Sequence, residues 1–140
     1  MIILDTNVLS ALMHGERLIV DWMNRQAAES VWTTSVTLFE VRLGLTLLSK
    51  GRRRTGLESA FTRVVDEDLE SRILDFDVAA ANEAAALAAE RQKAGRPVDM
   101  RDTQIGGIAL ARRGTLATRN LRHFGDLNVP VIDPWQARSR

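Results

Sequence analysis

The sequence predicts an α/β fold in which a largely parallel sheet of about five strands lies between two layers of helices. The chain begins with the short apolar run Ile2 to Leu4, which ends at Asp5 and lacks the polar alternation of a half-exposed strand. Further strand-like runs are separated by segments with helical spacing, which requires crossover connections between parallel strands. The chain has 140 residues, of which 45% are hydrophobic, so we expect one domain spanning 1–140 with its own core.

The first half of the chain alternates helical spacing with strand-like runs. After the first strand, His14-Gly15 separates two segments in which apolar residues recur at helical spacing. Thr34 or Ser35 is placed to cap an apolar helix, and the basic run Lys50 to Arg54 ends that helix and forms a connection. We predict helices over 8–13, 16–28, 36–48 and 57–68, with a second strand over 30–33.

The second half continues the same alternation. Asp77 and Asp99 each precede a long helical segment and are placed to cap it. The first of these helices is rich in alanine, the strongest helix former, and Gly95-Arg96-Pro97 ends it. Pro130 cannot donate to a sheet ladder, so the last strand is predicted to lie at an edge. We predict strands over 72–76, 115–118 and 129–132, helices from Asp77 to Ala94 and from Asp99 to Arg112, and a helical turn over 120–124.

Composition excludes several classes of protein. The chain has no cysteine, which excludes disulfides and thiolate metal sites and is compatible with a reducing cytoplasm. No apolar run approaches the roughly 18 residues of a membrane span, and Met1 leads directly into the first strand without a targeting segment. We therefore expect a cytoplasmic protein without membrane association.

Charge is distributed unevenly although the net charge is only +1. Segment 42–63 carries +5, segment 64–90 carries −7, and segment 111–140, which includes Arg138 and Arg140, carries +4. Basic segments separated by an acidic one permit a phosphate-bearing partner on one surface, although ordinary solvated surface explains the same pattern.

Two carboxylates do not fit the predicted helices. Glu40 lies in an apolar helix that we expect to be largely buried, where an unpaired charge is costly; pairing with Arg42 or a solvated helix end is the simpler explanation. Asp102 lies in the first turn of its helix, where the helix dipole favours a carboxylate. Because Asp99 is the better cap, Asp102 is available for another role, and Gly106 one turn later leaves space for another element or a ligand.

Thr118-Arg119-Asn120 follows a predicted strand, as Asp5-Thr6-Asn7 follows the first. Thr118 could orient a carboxylate or a metal-bound water, and Asn120 could instead cap a helix. Carboxylates that are brought together repel by roughly 1–4 kcal/mol per pair at 4 Å, so a cluster requires a cation. Oxygen ligands without cysteine favour Mg²⁺ or Mn²⁺ over zinc and suit attack on a phosphodiester.

Four motifs together resemble the PIN-domain nucleases, and in particular the VapC-type toxins of prokaryotic toxin–antitoxin pairs, including the FitB-like branch. The end of the chain also matches that branch at 131–135. The resemblance covers nearly the whole chain in the expected order. The motifs are Leu4-Asp5-Thr6-Asn7, the segment Thr34 to Gly44, Asp102-Thr103-Gln104-Ile105-Gly106-Gly107-Ile108-Ala109 and Leu116-Ala117-Thr118-Arg119-Asn120.

The resemblance implies a three-layer α/β/α fold and Mg²⁺- or Mn²⁺-dependent endoribonuclease activity. It implies that Asp5, Glu40 and Asp102 form the catalytic metal site, with Asp5 as the central ligand, and that Thr118 positions the cluster. FitB-like members have aspartate where this chain has Asn120, so a fourth carboxylate and a second metal ion are in question. Asn7 is expected to brace the turn and cap the first helix, and either Glu40 or Asp102 to act as the base.

The resemblance also implies an RNA substrate, a small VapB-like antitoxin that blocks the site, and a homodimer. Arg119 and the run Arg52, Arg53 and Arg54 are candidates for RNA contacts, although surface solubility also explains the run. Leu12, Met13 and Trp22 are expected to serve an interface if exposed, with core packing favoured for Trp22. His14 and His123 have no partner pattern and are interpreted as structural.

Three other functions are compatible with parts of the sequence. A structure-specific DNA nuclease would require additional DNA-binding elements, for which the chain has little room. A degenerate PIN domain that binds RNA or protein without catalysis is supported by Asn120 and opposed by the three acids. A small-molecule phosphohydrolase typically has Asp-x-Asp after its first strand, whereas this chain has Asp5-x-Asn7.

Overall fold

The computed structural model describes residues 1–136, and Arg138 and Arg140 of the basic C-terminal segment therefore lie outside the described residues. A five-stranded sheet lies at the centre, in the order β3-β2-β1-β4-β5, and every pairing is parallel. The predicted α/β class is confirmed. The strands are β1 (Ile2–Leu4), β2 (Val31–Thr34), β3 (Ile73–Leu74), β4 (Thr115–Ala117) and β5 (Val131–Ile132).

Helices connect successive strands by the crossovers that parallel pairing requires. A 3₁₀ turn at Ala28–Ser30 precedes β2, and a π-helical turn at Val64–Asp68 continues α4. The helices are α1 (Thr6–Met13), α2 (Arg17–Asn24), α3 (Ser35–Leu47), α4 (Arg52–Arg63), α5 (Val78–Lys93), α6 (Met100–Arg112) and α7 (Leu121–Phe124).

Two apolar cores lie on opposite faces of the sheet and create the three layers. Leu4 of β1 contributes to the core beneath α1, α2 and α4, whereas Ile3 contributes to the core beneath α5 and α6. Both side chains are fully buried, as expected for the central strand of a sheet covered on both faces. Trp22 is buried in the first core, as expected, and Leu12 and Met13 are buried there too, so neither is exposed for an interface.

The strand order places a topological switch point between β1 and β4. From β1 the chain proceeds outward to β2 and β3, and then crosses to the other side of β1 to form β4. The connections after β1 and β4 therefore diverge and leave a crevice at the carboxyl ends of these strands, which is where open α/β sheets bind ligands. The motif residues after Leu4 and after Ala117 both lie at this crevice.

Three expectations about local structure are wrong. Arg52 to Arg54 form the first turn of α4 and not a connection, because arginine is a good helix former and Gly51 suffices to separate α3 from α4. Helix α3 is not largely buried, since Phe39 is 56% and Leu47 76% exposed. Helix α2 ends at Asn24, and the chain then enters the 3₁₀ turn before β2.

Gly106 and Gly107 of α6 allow this helix to pack closely against α5, and they leave no room for a ligand there. A Cβ on Gly107 would lie 2.5 Å from the Ala80 carbonyl oxygen and 2.7 Å from Ala84 Cβ in α5. A Cβ on Gly106 would lie 3.0 Å from a Leu87 methyl group. The cost of glycine in α6 is therefore offset by helix–helix packing.

We expect Gly107→Ala to destabilise the protein by about 1–3 kcal/mol, because the added methyl group forces α5 away from α6. Gly44→Ala is the matched control: nothing lies within 4 Å of its Cβ position in α3, so alanine should stabilise by up to about 1 kcal/mol. Urea denaturation of both variants measures the two changes. Equal stability of both variants would contradict the close packing.

No helix within residues 1–136 has both the length and the apolar character needed to cross a membrane.

Candidate active site

Asp5 is the most deeply buried acid at the switch point, with 2% of its surface exposed. Its backbone N–H donates to the Ala117 carbonyl at 3.0 Å, which fixes it beside the end of β4. The Thr118 hydroxyl donates to Oδ2 at 2.7 Å, and the Thr6 backbone N–H donates to Oδ1 at 2.8 Å. Asp5, and not Asn7, is therefore the N-cap of α1.

Burial raises the pKa of Asp5 from 3.8 to about 6. The hydrogen bonds from Thr118 and Thr6 lower the pKa and only partly offset this effect, whereas the negative charges of Asp102 and Glu40 raise it further. Ionised Asp5 is thus held at a free-energy cost, and a nearby cation would reduce that cost.

Asn7 braces the crevice by joining the two loops. Its amide Nδ2 lies 3.3 Å from Thr118 Oγ1 and 3.4 Å from Asp5 Oδ2, and its Oδ1 accepts from the Arg119 backbone N–H at 3.1 Å. The amide of Asn7 thereby holds the segment after β1 against the segment after β4. The expected bracing role is observed, and the expected capping role is performed by Asp5 instead.

Glu40 reaches the same cleft from α3. The Thr6 hydroxyl donates to Oε1 at 2.8 Å, and Arg101 Nη1 lies 3.7 Å from Oε2. Arg42, the partner considered from the sequence, instead lies over the Phe61 ring at 4.8 Å from its centroid. Glu40 is therefore held by groups of two other elements and does not pair along its own helix.

Asp102 projects from the first turn of α6. Asp99 caps that helix by accepting from the Asp102 backbone N–H at 3.0 Å, so the Asp102 side chain is free of capping, as predicted. Its Oδ2 lies 2.6 Å from His123 Nδ1 in α7. The interpretation of His123 as a residue without a partner is wrong. The sequence did contain one indication of this contact. His123 lies one helical turn after Asn120, which places its side chain near the same carboxyl end of β4.

Thr118 and Asn120 complete the crevice on the β4 side. The Thr118 hydroxyl, which donates to Asp5, accepts from the Asn120 backbone N–H at 3.0 Å. Asn120 occupies the position before α7, but its side chain makes no capping hydrogen bond. Its amide instead contributes to the lining of the cleft.

The resulting cleft, which we call the acidic cleft, has a volume of about 340 Å³. Three carboxylates from three separate segments share it with hydroxyl and amide groups. Its lining consists of Asp5, Thr6, Asn7, Ser10, Glu40, Asp102 and Asn120.

The three carboxylates that line the acidic cleft each have their own hydrogen-bond partners. Within residues 1–136, no three histidine, cysteine or acidic side chains converge closely enough to hold a metal ion as they stand. Mutual repulsion disfavours closer approach of the acids, and hydrogen bonds hold Glu40 to Thr6 and Asp102 to His123. The lining of the acidic cleft nevertheless supplies the oxygen donors that hard divalent cations prefer.

Comparison with known proteins identifies the family. A family model described as PIN domain matches residues 2–128. The chain belongs to the PIN domain family. The resemblance inferred from the four motifs is therefore confirmed, and Asp5, Glu40, Asp102 and Asn120 all lie within the matched PIN domain.

Curated relatives match this PIN domain over almost their whole length. The plasmid stability protein StbB of Pseudomonas syringae pv. tomato is 34% identical, covering 98% of this chain and all of StbB. The VapC ribonuclease Y4jK of Sinorhizobium fredii is 33% identical over 97% of this chain and 99% of its own. The toxin FitB of Neisseria gonorrhoeae is 30% identical over 96% of this chain and 99% of its own.

Two solved structures of Fit proteins have chains that superpose closely on this PIN domain. A chain of FitAB bound to an IR36 DNA fragment matches with a TM-score of 0.87 and 29% identity, covering 100% of this chain and 99% of that one. A chain of FitAcB from Neisseria gonorrhoeae matches with a TM-score of 0.83, covering 98% of this chain and 100% of that one.

None of the four arginines predicted from the sequence to contact RNA lines the acidic cleft of the PIN domain. Arg119 lies over the Trp135 ring at 4.2 Å from its centroid. Arg54 donates to the Leu48 carbonyl at 3.3 Å and pairs with Glu58, at the end of α3 remote from Glu40. Arg52 and Arg53 are exposed in the same turn of α4.

Asp126, the acid that lies six residues after Asn120, belongs to a separate ion-pair cluster. Arg91 Nε and Arg96 Nη1 each lie 2.9 Å from Asp126 Oδ2. Hydrogen bonding to Arg91 holds the pKa of Asp126 below its ordinary value. Arg91 is itself buried, and its Nη2 donates to the His123 carbonyl at 2.7 Å, so this cluster holds α7 in place.

Proposed function

We propose that the protein is a divalent-metal-dependent endoribonuclease, a VapC-type toxin that a cognate antitoxin neutralises. One observation carries the proposal: three carboxylates from separate segments of a PIN domain share one cleft at the switch point of the sheet. Relatives named VapC ribonuclease and tRNA(fMet)-specific endonuclease VapC, which match over nearly the full length, support the same activity. The whole chain, 1–140, would act as one PIN domain.

The donor set fits a hard divalent cation. Asp5 and Asp102 would hold the ion directly and Glu40 through a water molecule, with the Asn120 carbonyl as an additional neutral oxygen. Oxygen donors without cysteine favour Mg²⁺ or Mn²⁺. When bound, such an ion supplies charge stabilisation at the scissile phosphate and lowers the pKa of a coordinated water.

The residues of the chain perform the remaining steps. Thr118 and Asn7 fix Asp5, so one carboxylate stays in place while Glu40 and Asp102 adjust. The oxygen of a water molecule attacks phosphorus, the bond from phosphorus to the leaving ribose oxygen breaks, the attacking water loses a proton to a carboxylate, and the leaving oxygen takes a proton from solvent. We assign this base role to Glu40, because within residues 1–136 the sole partner of its Oε2 is Arg101 at 3.7 Å, whereas Asp102 Oδ2 is bonded to His123.

The partners follow from the same proposal. Solved structures with this fold at 27–29% identity are complexes named FitAB and VapBC, which supports a VapB-like antitoxin as the partner of this chain. We propose a homodimer that acts on RNA in the cytoplasm. A degenerate PIN domain without catalysis is disfavoured, because each of the three acids lines the acidic cleft.

Cleavage of structured RNA tests the proposal. The wild-type protein should cut RNA with Mg²⁺ or Mn²⁺ and should stop when EDTA is added. Glu40→Gln and Asp102→Asn should each lower the rate by about 10²–10⁴-fold, which corresponds to the loss of several kcal/mol of transition-state stabilisation. Asp21→Asn, which changes an exposed acid of α2, is the control. Cleavage that persists in EDTA would rule out the metal-dependent reaction.

His123 should affect metal binding through Asp102. We expect His123→Ala to weaken Mn²⁺ binding by about 10-fold or more, since groups that orient metal ligands typically contribute that much. His123→Asn should retain most of the affinity, because its amide can donate from nearly the position of Nδ1. Isothermal titration with Mn²⁺ measures both. Equal affinity of both variants would mean that the histidine does not orient Asp102.

Asn120→Asp should convert the cleft to four carboxylates. We expect tighter Mn²⁺ binding, because the added charge attracts the cation, and a lower melting temperature in EDTA, because the added charge repels the other acids. Thermal denaturation with and without Mn²⁺ measures the two effects. An unchanged response to Mn²⁺ would place this side chain outside the ligand set.

A further inference from the structure

We propose that a second cleft, on the other side of Asp102, receives the nucleotide adjacent to the scissile phosphate, and that Arg122 contacts the backbone of that nucleotide. This inference rests on the proposed ribonuclease function and names a substrate subsite for it. We call this site the Arg122 cleft. It has a volume of about 250 Å³ and is lined by Arg91, Arg96, Pro97, Asp99, Asp102, Arg122 and His123.

Asp102 lines both clefts, and this shared wall carries the argument. One face of Asp102 lies on the acidic cleft with Asp5 and Glu40, and the other lies on the Arg122 cleft with His123. A polynucleotide whose scissile phosphate lies beside Asp102 must continue away from it. The Arg122 cleft is the adjoining concave space, and its volume is below that of a typical drug-sized pocket, so it suits one nucleoside.

The charges around the Arg122 cleft leave one cation without a partner. Arg91 and Arg96 are both bound to Asp126, which engages both guanidinium groups and offsets one of their two charges. Arg122 is exposed and makes no hydrogen bond or salt bridge with any residue in 1–136, unlike Arg119 over Trp135. A guanidinium that is free in this way is available to a phosphate oxygen.

The acids of the Arg122 cleft determine which part of a nucleotide it accepts. Asp99 caps α6, and Asp102 is bonded to His123, so two carboxylates border the interior. They repel a phosphate inside the cleft but can accept hydrogen bonds from ribose hydroxyls or base amino groups. The nucleoside therefore enters beside Pro97, and its phosphate remains at the rim with Arg122.

The wall that carries Arg122 is held in place. Arg91 is 4% exposed, and it donates to the His123 carbonyl at 2.7 Å and to Thr103 Oγ1 at 3.2 Å. These bonds connect α7 to α6 directly behind the cleft. Arg122 therefore extends from a fixed helix, which reduces the ordering cost of a contact with RNA.

RNA binding without cleavage tests the subsite. In an Asp5→Asn background, Arg122→Ala should weaken binding of a short fluorescein-labelled single-stranded RNA by about fivefold and lower the magnitude of the salt slope by about 0.7, the value for one phosphate contact on a single strand. Arg25→Ala removes an exposed arginine of equal charge that follows α2 and lines neither cleft, and it should change neither quantity. Equal effects of the two variants would overturn the assignment of Arg122.

Crosslinking locates the nucleotide itself. An RNA carrying 4-thiouridine should crosslink to the peptide that contains Pro97 or to the one that contains Arg122, as detected by mass spectrometry. Crosslinks found only elsewhere would overturn the subsite. If the wild-type protein cleaves RNA with Mg²⁺ or Mn²⁺ and these results are negative, the ribonuclease function stands and only the subsite fails. If no RNA is cleaved or bound under any of these conditions, the proposed function fails and the subsite with it.

Discussion

Asp5→Asn is expected to abolish RNA cleavage and, in the presence of EDTA, to stabilise the protein. The loss of activity follows from removing the fixed carboxylate of the acidic cleft, and we expect a decrease of about 10²–10⁴-fold. The gain in stability follows from the burial of Asp5, which raises its pKa from 3.8 to about 6. Folding thus opposes ionisation of this side chain, and asparagine does not ionise.

The sign of the pH dependence follows from the two pKa values. An acid whose pKa is higher in the folded state than in the unfolded chain makes folding less favourable once it is ionised in both states. The stabilisation by Asp5→Asn should therefore be absent below pH 3.8, grow between pH 3.8 and about pH 6, and be complete at higher pH. We expect about 1–2 kcal/mol, which is less than the shift alone implies because asparagine has one oxygen and cannot accept from both Thr6 and Thr118.

Thermal denaturation across this pH range measures the effect, with Asp21→Asn as the exposed control. Addition of Mn²⁺ should reverse the order and stabilise the wild-type protein more than the Asp5→Asn protein, because binding to the folded state alone raises stability. If Asp5→Asn destabilised the protein at every pH, the hydrogen bonds to Asp5 would outweigh its desolvation.

Arg91→Met is expected to destabilise the protein by about 2–4 kcal/mol. The buried guanidinium makes paired contacts of 2.9 Å with both carboxylate oxygens of Asp126 and donates to Thr103 and the His123 carbonyl. Breaking a buried ion pair from one side typically costs 3–5 kcal/mol. Arg96 remains beside Asp126 at 2.9 Å and reduces that cost.

A second ion pair provides the control for Arg91→Met. Arg112 lies 2.7 Å from Asp77, but the two side chains are 42% and 38% exposed, whereas that of Arg91 is 4% exposed. Arg112→Met should therefore cost less than about 1 kcal/mol. Urea denaturation compares the two variants, and equal costs would show that burial does not determine the contribution of the Arg91 pair.

Acid stability offers a further test of the same pair. Because Arg91 lowers the pKa of Asp126, the pair stabilises the wild-type protein above the ordinary pKa of aspartate, and this contribution is lost as pH falls through the folded-state pKa. Arg91→Met should thus reduce the loss of stability in acid. An unchanged acid transition would mean that Arg96 alone sets the charge state of Asp126.

Features governed by neighbours in the sequence were predictable. The apolar run before Asp5 indicated a central strand, and Thr34, Asp77 and Asp99 each cap the helix that follows, because a cap needs only the next three residues. Pro130 indicated an edge strand, and β5 lies at the edge.

Contacts between distant segments were not predictable in the same way. The partners of Glu40 are Thr6 and Arg101, both far away in sequence, and pairing within the helix with Arg42 was the local expectation. His123 reaches Asp102 only because α7 returns to the carboxyl end of β4. The exposure of Phe39 and Leu47 was missed because apolar spacing marks a helix face without saying whether another element covers it.

The apolar run before Asp5 and the alternation of strands with helices were sufficient to predict the fold class, and the resemblance of four motifs to PIN-domain nucleases indicated which residues meet at the acidic cleft. How these residues are held became visible only in the fold: the strand order that opens the crevice between β1 and β4, the bond from His123 to Asp102, and the buried Arg91 that fixes α7. Each depends on crossovers that join residues remote in sequence, and no local pattern encodes the direction in which such a crossover packs.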